Sequence, residues 1–572
     1  MRSPATAGLL AIGLIAAAVG AAAQAPPVLQ APPVRPTPAQ PPATLPPGTI
    51  PGAPPGSTAA PAGADRIFVT PTAIDLEGAT VYPPGVLDEF TRPVVGKRVA
   101  VSELFAVAQR IEARYRADGY FLTTVFLPAQ RTGDGRIRIR VVEGFISNVV
   151  IEGDVGPVAQ QAKRFLDKVT ASRPANLRDV ERYLLLTQDL PGISLKTLLR
   201  AGKEPGSSEL VAQLRRSPWD GLFQVHNRGS KFIGPQQGTL VLALNSFTSL
   251  AERVEGTYFT TFDREQNFGQ IAWSNFIGDE GLRLRAYAGR GSVKPGEQLA
   301  VIRYDGVLTL AGASLSFPVV RSRPANLNVS GGYDYYQSRA DILGNIPFTR
   351  TSLSVLRLGA DGNYRDGWFG VTYGSARLSQ GVGLFGASDK GDPLLNRAGA
   401  DPRFFKLNGE VSRLQGLWTD GGFSINLLGT ISAQYSNDIL PSNEKFFVGG
   451  DRLGRGYYAG QVTGDKALAG TVELQFNAAV PYALGDAGGP SRGESLPLQF
   501  YAFYDHGRVW NNAPLEARHV TARSAGAGIR VNFLETAAAE LEAVRRFDRD
   551  VDGAAARRLN AWALYARLTA QF

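Results

Sequence analysis

From Trp219 to Phe572 the chain repeats one device: apolar and polar residues alternate with a period of two, segment after segment. Leu240, Leu242 and Leu244 face one way, while Thr239, Val241, Ala243 and Asn245 face the other. Leu282, Leu284, Ala286 and Ala288 likewise oppose Arg283, Arg285, Tyr287 and Gly289, and Ile529, Val531 and Phe533 oppose Gly528, Arg530 and Asn532. A period of two is the side-chain spacing of an extended strand, so this region forms a large sheet. It is too long for one sandwich, and arginines recur on its polar face. A transmembrane β-barrel, apolar toward lipid and polar toward its lumen, meets both conditions. At ~22 residues per strand and connection, residues 218–572 hold roughly 16 antiparallel strands, an even number within the bacterial range.

The rest of the composition agrees. Past the first 25 residues no apolar run approaches the ~20 residues of a membrane helix, and the chain has no cysteine for a disulfide, zinc–thiolate site or thiol nucleophile. Arg2, the apolar stretch Leu9 to Val19 and the small residues Gly20 to Ala23 read as a secretory signal peptide, residues 1–23. Cleavage after Ala23 keeps Pro26 clear of the scissile bond. Residues 24–65 are rich in proline, nearly uncharged and without hydrophobic period, which predicts an extended linker.

Between the linker and the barrel, strands mix with helices, and the pattern occurs twice, over residues 66–145 and 146–217. In the first module Ile67 to Leu76 reads as a strand. Ser102 is placed to cap a helix whose Leu104, Val107, Ala108, Ile111 and Tyr115 share a face and which Gly119 stops. Strands YFLTTVFLP (120–128) and RIRIRVVEG (136–144) follow across the turn TGDG. In the second, Ser147 to Ile151 is a strand, Val158 to Val169 and Leu177 to Leu190 are helices, the latter capped by Asn176, and ISLKTLLR and SELVAQLRR are strands. Arg136, Arg138 and Arg140 lie on one strand face. Without interleaved aromatics they read as a solvated surface, and no nucleic-acid partner is expected.

GYFLTTVFLPAQ, DGRIRIRVVEG and LRDVERYLLLTQDLPGISL resemble the tandem polypeptide-transport-associated (POTRA) domains of two-partner-secretion transporters, the haemolysin secretion/activation family. Two motifs in the barrel region extend the resemblance. FFVGGDRLGRGYYAG (446–460) resembles the sixth-loop motif Val-Arg-Gly-Tyr, with Gly454 in place of the valine and Arg455, Gly456 and Tyr457 matching. FYDHG (503–507) resembles Phe-x-Asp-x-Gly, and alternation puts Phe503, Asp505 and Gly507 on one face. The resemblance implies a clamp in which Arg455, on an inward-folded loop, meets Asp505 on the lumen wall, supported by Gly456, Tyr457, Phe503 and Gly507. An arginine offers a planar fork of donors that matches a carboxylate. VHNRGSKFIG (225–234) resembles the family's approach to its first strand. A plug helix, common ahead of the first module, is replaced here by Pro-rich sequence. The last strand puts Trp562, Leu564, Ala566, Leu568, Ala570 and Phe572 on one face, and its terminal Phe572 resembles the signal read by the barrel-assembly machinery.

The expected function is therefore export: an outer-membrane transporter with periplasmic modules that catches an unfolded haemolysin- or adhesin-like exoprotein and passes it through the barrel without ATP. Its expected partners are that exoprotein, the assembly machinery and outer-membrane lipid. A net charge of +9 favours an acidic client, although lumen arginines serve many barrels. A barrel-assembly insertase is the alternative, and a passive channel leaves the two modules without a purpose. An enzyme is not expected. His226, His506 and His519 stand in no metal or nucleophile spacing, Gly449-Gly450 is not followed by Lys-Ser or Lys-Thr, and no cofactor is implied.

Overall fold

The computed structural model describes residues 59–230, 232–481, 495–534, 536–551 and 558–572. The signal peptide and nearly all of the Pro-rich linker lie outside the described residues. Sixteen antiparallel strands close into one barrel, each paired with its neighbour in sequence. The first, β1 (Trp219–His226), joins the last, β16 (Trp562–Gln571), through the register Arg567↔His226 to Gln571↔Leu222. Phe572 prolongs this seam, exchanging backbone hydrogen bonds with Gly221. The barrel's outward side chains are the apolar set expected from the alternation, such as Leu242, Leu244, Leu541 and Leu564, all largely exposed at the outer surface. In the lumen sit polar and charged residues at a few per cent exposure, among them Glu473, Asp505 and Glu542.

Both N-terminal modules have the same sheet. In the first, Ala73–Glu77 runs parallel to Arg136–Val142, which pairs antiparallel with Thr124–Phe126. In the second, Phe145–Glu152 runs parallel to Ser207–Arg216, which pairs antiparallel with Ile193–Ala201. Helix Val101–Ala117 covers the first sheet, burying Leu104, Val107, Ala108, Ile111 and Tyr115 as its periodicity predicts. Helices Ala159–Asp167 and Leu177–Gln188 cover the second. The alternating Arg136, Arg138 and Arg140 are solvent-facing and pair with Asp75 and Glu77.

Several local expectations are corrected. Ser102 caps nothing: the helix begins one residue earlier, Ala100 takes the cap position, and no side chain bonds there. Asn176 does cap its helix, accepting from the Arg178 N–H at 3.0 Å. The single strand expected over Ile67 to Leu76 is split into Phe68–Val69 and Ala73–Glu77, with Pro71, which has no N–H for a ladder, between them. YFLTTVFLP yields only Thr124–Phe126, because Tyr120 to Thr123 fold into turns after Gly119. VHNRGSKFIG does not lead into the first strand but leaves it, since β1 ends at His226.

The second module is seated on the barrel's periplasmic turns. Gln161 Nε2 donates to the Gly278 carbonyl at 2.7 Å, Lys168 reaches Asp279 and Glu280 at 2.9 Å each, and Arg321 meets Asp189 at 2.6 Å. Phe165 packs edge-on against Phe276 with centroids 5.7 Å apart, so the module's apolar core continues into the barrel. The two carboxylates hold the Lys168 ammonium above the usual lysine range.

Candidate functional site

Strands β11 (Phe423–Tyr435) and β12 (Lys466–Pro481) are joined by a long loop that folds back into the lumen. Its arms form a short ladder, Phe446–Val448 against Val462–Gly464, and its tip lies between them. The tip turns through left-handed backbone at Gly449, Gly450 and Gly454. Gly454, where the related motif has valine, has φ +75°, and a Cβ there would stand 2.5 Å from Val448 Cγ1. Both the conformation and the space call for glycine.

The next residue, Arg455, is 3 % exposed and enclosed by β12 and by β13 (Ser495–Trp510). Its Nη2 donates to Asp505 Oδ1 at 3.0 Å and to Thr471 Oγ1 at 2.8 Å, and its backbone N–H donates to Asp505 Oδ2 at 2.7 Å. Its Nη1 bonds Glu473 and lies 4.0 Å from Glu542. The guanidinium stands 3.3 Å from the ring centroid of Phe503, a cation–π contact that fixes its plane. Gly507 clears the loop, since a Cβ there would lie 2.8 Å from Val448. Gly456 donates to Ser524 Oγ at 3.2 Å and its carbonyl accepts from Arg546 and Tyr565. Tyr457, 1 % exposed, places its hydroxyl 2.8 Å from the carbonyls of Arg523 and Asp548. Six residues singled out by motif thus converge on one point of the lumen. Phe572 is elsewhere, at the periplasmic end of the seam, its ring over Gly221 and 5.9 Å from that of Trp219.

The motifs do not mark the remaining charges. Arg228 bonds Glu542 at 2.7 Å, and Arg530 bonds Glu473 at 2.8 Å and Glu540 at 3.4 Å. Further round the wall, Glu444 at the loop's root receives Arg357 at 2.8 Å and Lys406 at 2.6 Å. Near the loop's return, Arg397 bridges Asp465 and Glu516, each at 2.6 Å. A single buried charge would be strongly unfavourable, but each of these has an opposite partner and further hydrogen bonds. The alternation could have disclosed Glu473, Glu540 and Glu542, which occupy lumen-facing positions of β12 and of β15 (Ala537–Arg546). Arg228 falls within VHNRGSKFIG without any sign of its partner, and nothing local marks Arg397 or Glu444, which lie in connections.

Residues 206–531 match the family described as haemolysin secretion/activation protein ShlB/FhaC/HecB, and residues 69–144 match the ShlB-type POTRA domain. The chain is 21% identical over 466 residues to the heme/hemopexin transporter protein HuxB of Haemophilus influenzae (strain 86-028NP), covering 80% of each chain. It is 22% identical over 497 residues to the outer membrane transporter CdiB-2 of Burkholderia pseudomallei (strain 1026b), covering 81% of this chain and 77% of that one. Among solved structures, CdiB from Escherichia coli superposes with a TM-score of 0.69 at 19% identity, over 90% of this chain and 92% of that one. That last likeness speaks for the fold.

Proposed function

As a member of the haemolysin secretion/activation family, the chain is an outer-membrane two-partner-secretion transporter with periplasmic POTRA modules, and we propose that those modules capture its secreted partner unfolded. The partner then threads the lumen without nucleotide and folds outside. The observation that carries this reading is the continuity of the path: the second module is bonded to the turns at the barrel mouth, and the long loop inside is held at several stations. Free sheet edges support capture. Ala73–Glu77 borders the first sheet, Phe145–Glu152 and Ile193–Ala201 the second, and an extended client can add to such an edge by β-augmentation.

Within this mechanism the Arg455–Asp505 pair is a clamp that sets the register of the loop, with Gly456, Tyr457, Phe503 and Gly507 shaping its seat. Phe572 serves as the signal for the barrel-assembly machinery, and outer-membrane lipid surrounds the apolar wall. Deleting residues 66–216 tests the capture step. A barrel that still inserts but no longer secretes its partner is the expected result, and secretion by the truncated protein refutes it.

A further inference from the structure

The cations around the clamp, Arg228, Arg455 and Arg530, are paired with carboxylates, whereas one patch of the outer wall carries three that are not. Lys466 opens β12, Arg508 lies two residues before the end of β13, and Arg518 closes the connection that leads into β14 (His519–Leu534). Among the described residues, none of these side chains makes an ion pair or a hydrogen bond, and the Arg508 Nε is shielded while donating to nothing. Two rest on aromatic rings instead: Lys466 Nζ is 5.0 Å from the Tyr435 centroid and the Arg508 guanidinium 5.4 Å from that of Trp510. Strand pairing sets Lys466 opposite Trp510 and Leu468 opposite Arg508, so all four belong to one outward patch.

Beside Lys466 and Arg518, with Arg508 across from its Leu468 wall, lies a groove of ≈ 840 Å³ on the lipid side. Small residues, Ala376, Gly409 and Ala433, floor it, and Leu407, Tyr435, Leu468 and Trp510 wall it, while Lys466 and Arg518 stand at its rim. That rim is extracellular. The second module holds the turns at the other end of the barrel, and the connections at this end are the long loop and the segment before β14. A polar top above an apolar trough, at the depth marked by Tyr435 and Trp510, has the shape of one lipid: an acyl chain below and an anionic headgroup above.

We propose that this groove binds a phosphorylated, acylated lipid of the outer leaflet, of the lipid A type. Lys466, Arg508 and Arg518 hold its phosphate, and an acyl chain lies along Ala376, Gly409 and Ala433. Charge complementarity selects this occupant, since three unpaired cations beside lipid call for an anion that is itself anchored in lipid. The site also adjoins the loop. Asp465, the residue before Lys466, accepts the N–H of Asn512, which lines the groove. A bound headgroup therefore braces the end of the loop from outside.

The test uses the full-length protein, purified in detergent and stripped of lipid, with bisphosphorylated lipid A as probe and native mass spectrometry and thermal unfolding as readouts. The wild type should retain the lipid and gain thermal stability. The triple variant Lys466→Gln, Arg508→Gln, Arg518→Gln should bind at least about tenfold more weakly, as expected when charge-assisted phosphate contacts are lost. Dephosphorylated lipid A should bind the wild type no better than the triple variant does. Should the triple variant fold poorly, judged by heat-modifiable gel mobility, Ala433→Phe keeps every cation but fills the trough and should also weaken binding. Equal binding of phosphorylated and dephosphorylated lipid, unchanged binding by either variant, or a dimer formed through this patch instead of lipid uptake would overturn the proposal.

Discussion

In the second module the innermost side chains are Phe165, Leu166, Val169, Val180 and Leu186, whereas at similar burial the barrel encloses Asp465, Asp505, Arg397 and Arg455. The module follows the rule of water-soluble domains: apolar area leaves water, and this burial is the main driving force. In the barrel the apolar side chains face lipid and the strand ladder closes on itself, so the lumen carries the polar residues. Position there is set by matched charges. A module fails when its packing is damaged, and the lumen fails when one partner of a pair is lost. Experiments that exchange these failure modes test the contrast.

The largest effect is expected from Phe165→Ala. It leaves a cavity in the module core and also removes the contact with Phe276, a cost of about 3–5 kcal/mol. Protease sensitivity of the periplasmic half should rise and secretion should fall, while the barrel keeps its heat-modifiable mobility. If the barrel loses that mobility too, the two regions are not independent in stability.

Arg455→Ala should come next. Truncation leaves Asp505 as a buried carboxylate without its arginine and Glu473 with Arg530 alone, and breaking a buried pair in this way costs about 3 kcal/mol or more, spread here between loop docking and local repacking. Secretion normalised to inserted barrel should drop in Arg455→Ala and in Asp505→Ala, and the double variant should not be worse by the sum. A coupling of roughly 0.5–3 kcal/mol is the signature of contact. Fully additive defects would remove the clamp from the mechanism.

These two predictions draw on different degrees of legibility. The faces of β13 were readable because Phe503, Asp505 and Gly507 alternate with Tyr504 and His506, and period two fixes a face even when register is unknown. The five apolar buried positions of helix Val101–Ala117 were readable from period 3.6 in the same manner. What the sequence could not disclose was distance across the lumen. Arg228, Glu444 and Arg397 belong to irregular connections without period, and their partners Glu542, Arg357 and Asp465 are 314, 87 and 68 residues away. One helix start differs where a serine looks like a cap: the boundary lies two residues before Ser102, with Ala100 in the cap position, within the span over which local signals define helix ends.

Gly454→Val sharpens the lumen side of the contrast at smaller cost. The substitution restores the residue usual in the related motif, yet φ is +75° and the new Cβ would lie 2.5 Å from Val448 Cγ1. A β-branched residue in left-handed backbone costs about 1–3 kcal/mol. Reduced secretion with normal barrel insertion is expected, and Gly454→Ala should be milder. Full activity of the valine variant would mean that the tip rearranges freely and that the charges alone hold it.

The smallest effect returns to a module and asks whether a charge there behaves as one does in the lumen. Burial alone would raise the Glu143 carboxyl, but hydrogen bonds from Thr80 Oγ1, from Tyr115 Oη at 2.7 Å and from the N–H groups of Val81 and Thr80 outweigh it and hold the group below the usual carboxylate range. A carboxyl depressed in the folded state stabilises that state above its unfolded pKa, and the contribution fades as pH falls through the folded value. Glu143→Gln should therefore destabilise the first module by about 1 kcal/mol at neutral pH, a modest figure because water reaches the site. On acidification into and below the carboxylate range the gap between wild type and variant should close, because the wild-type carboxyl becomes neutral as well. Thermal unfolding of both proteins across that range measures the gap. A difference that stays constant with pH would assign the cost to the shape of the amide and not to the lost charge.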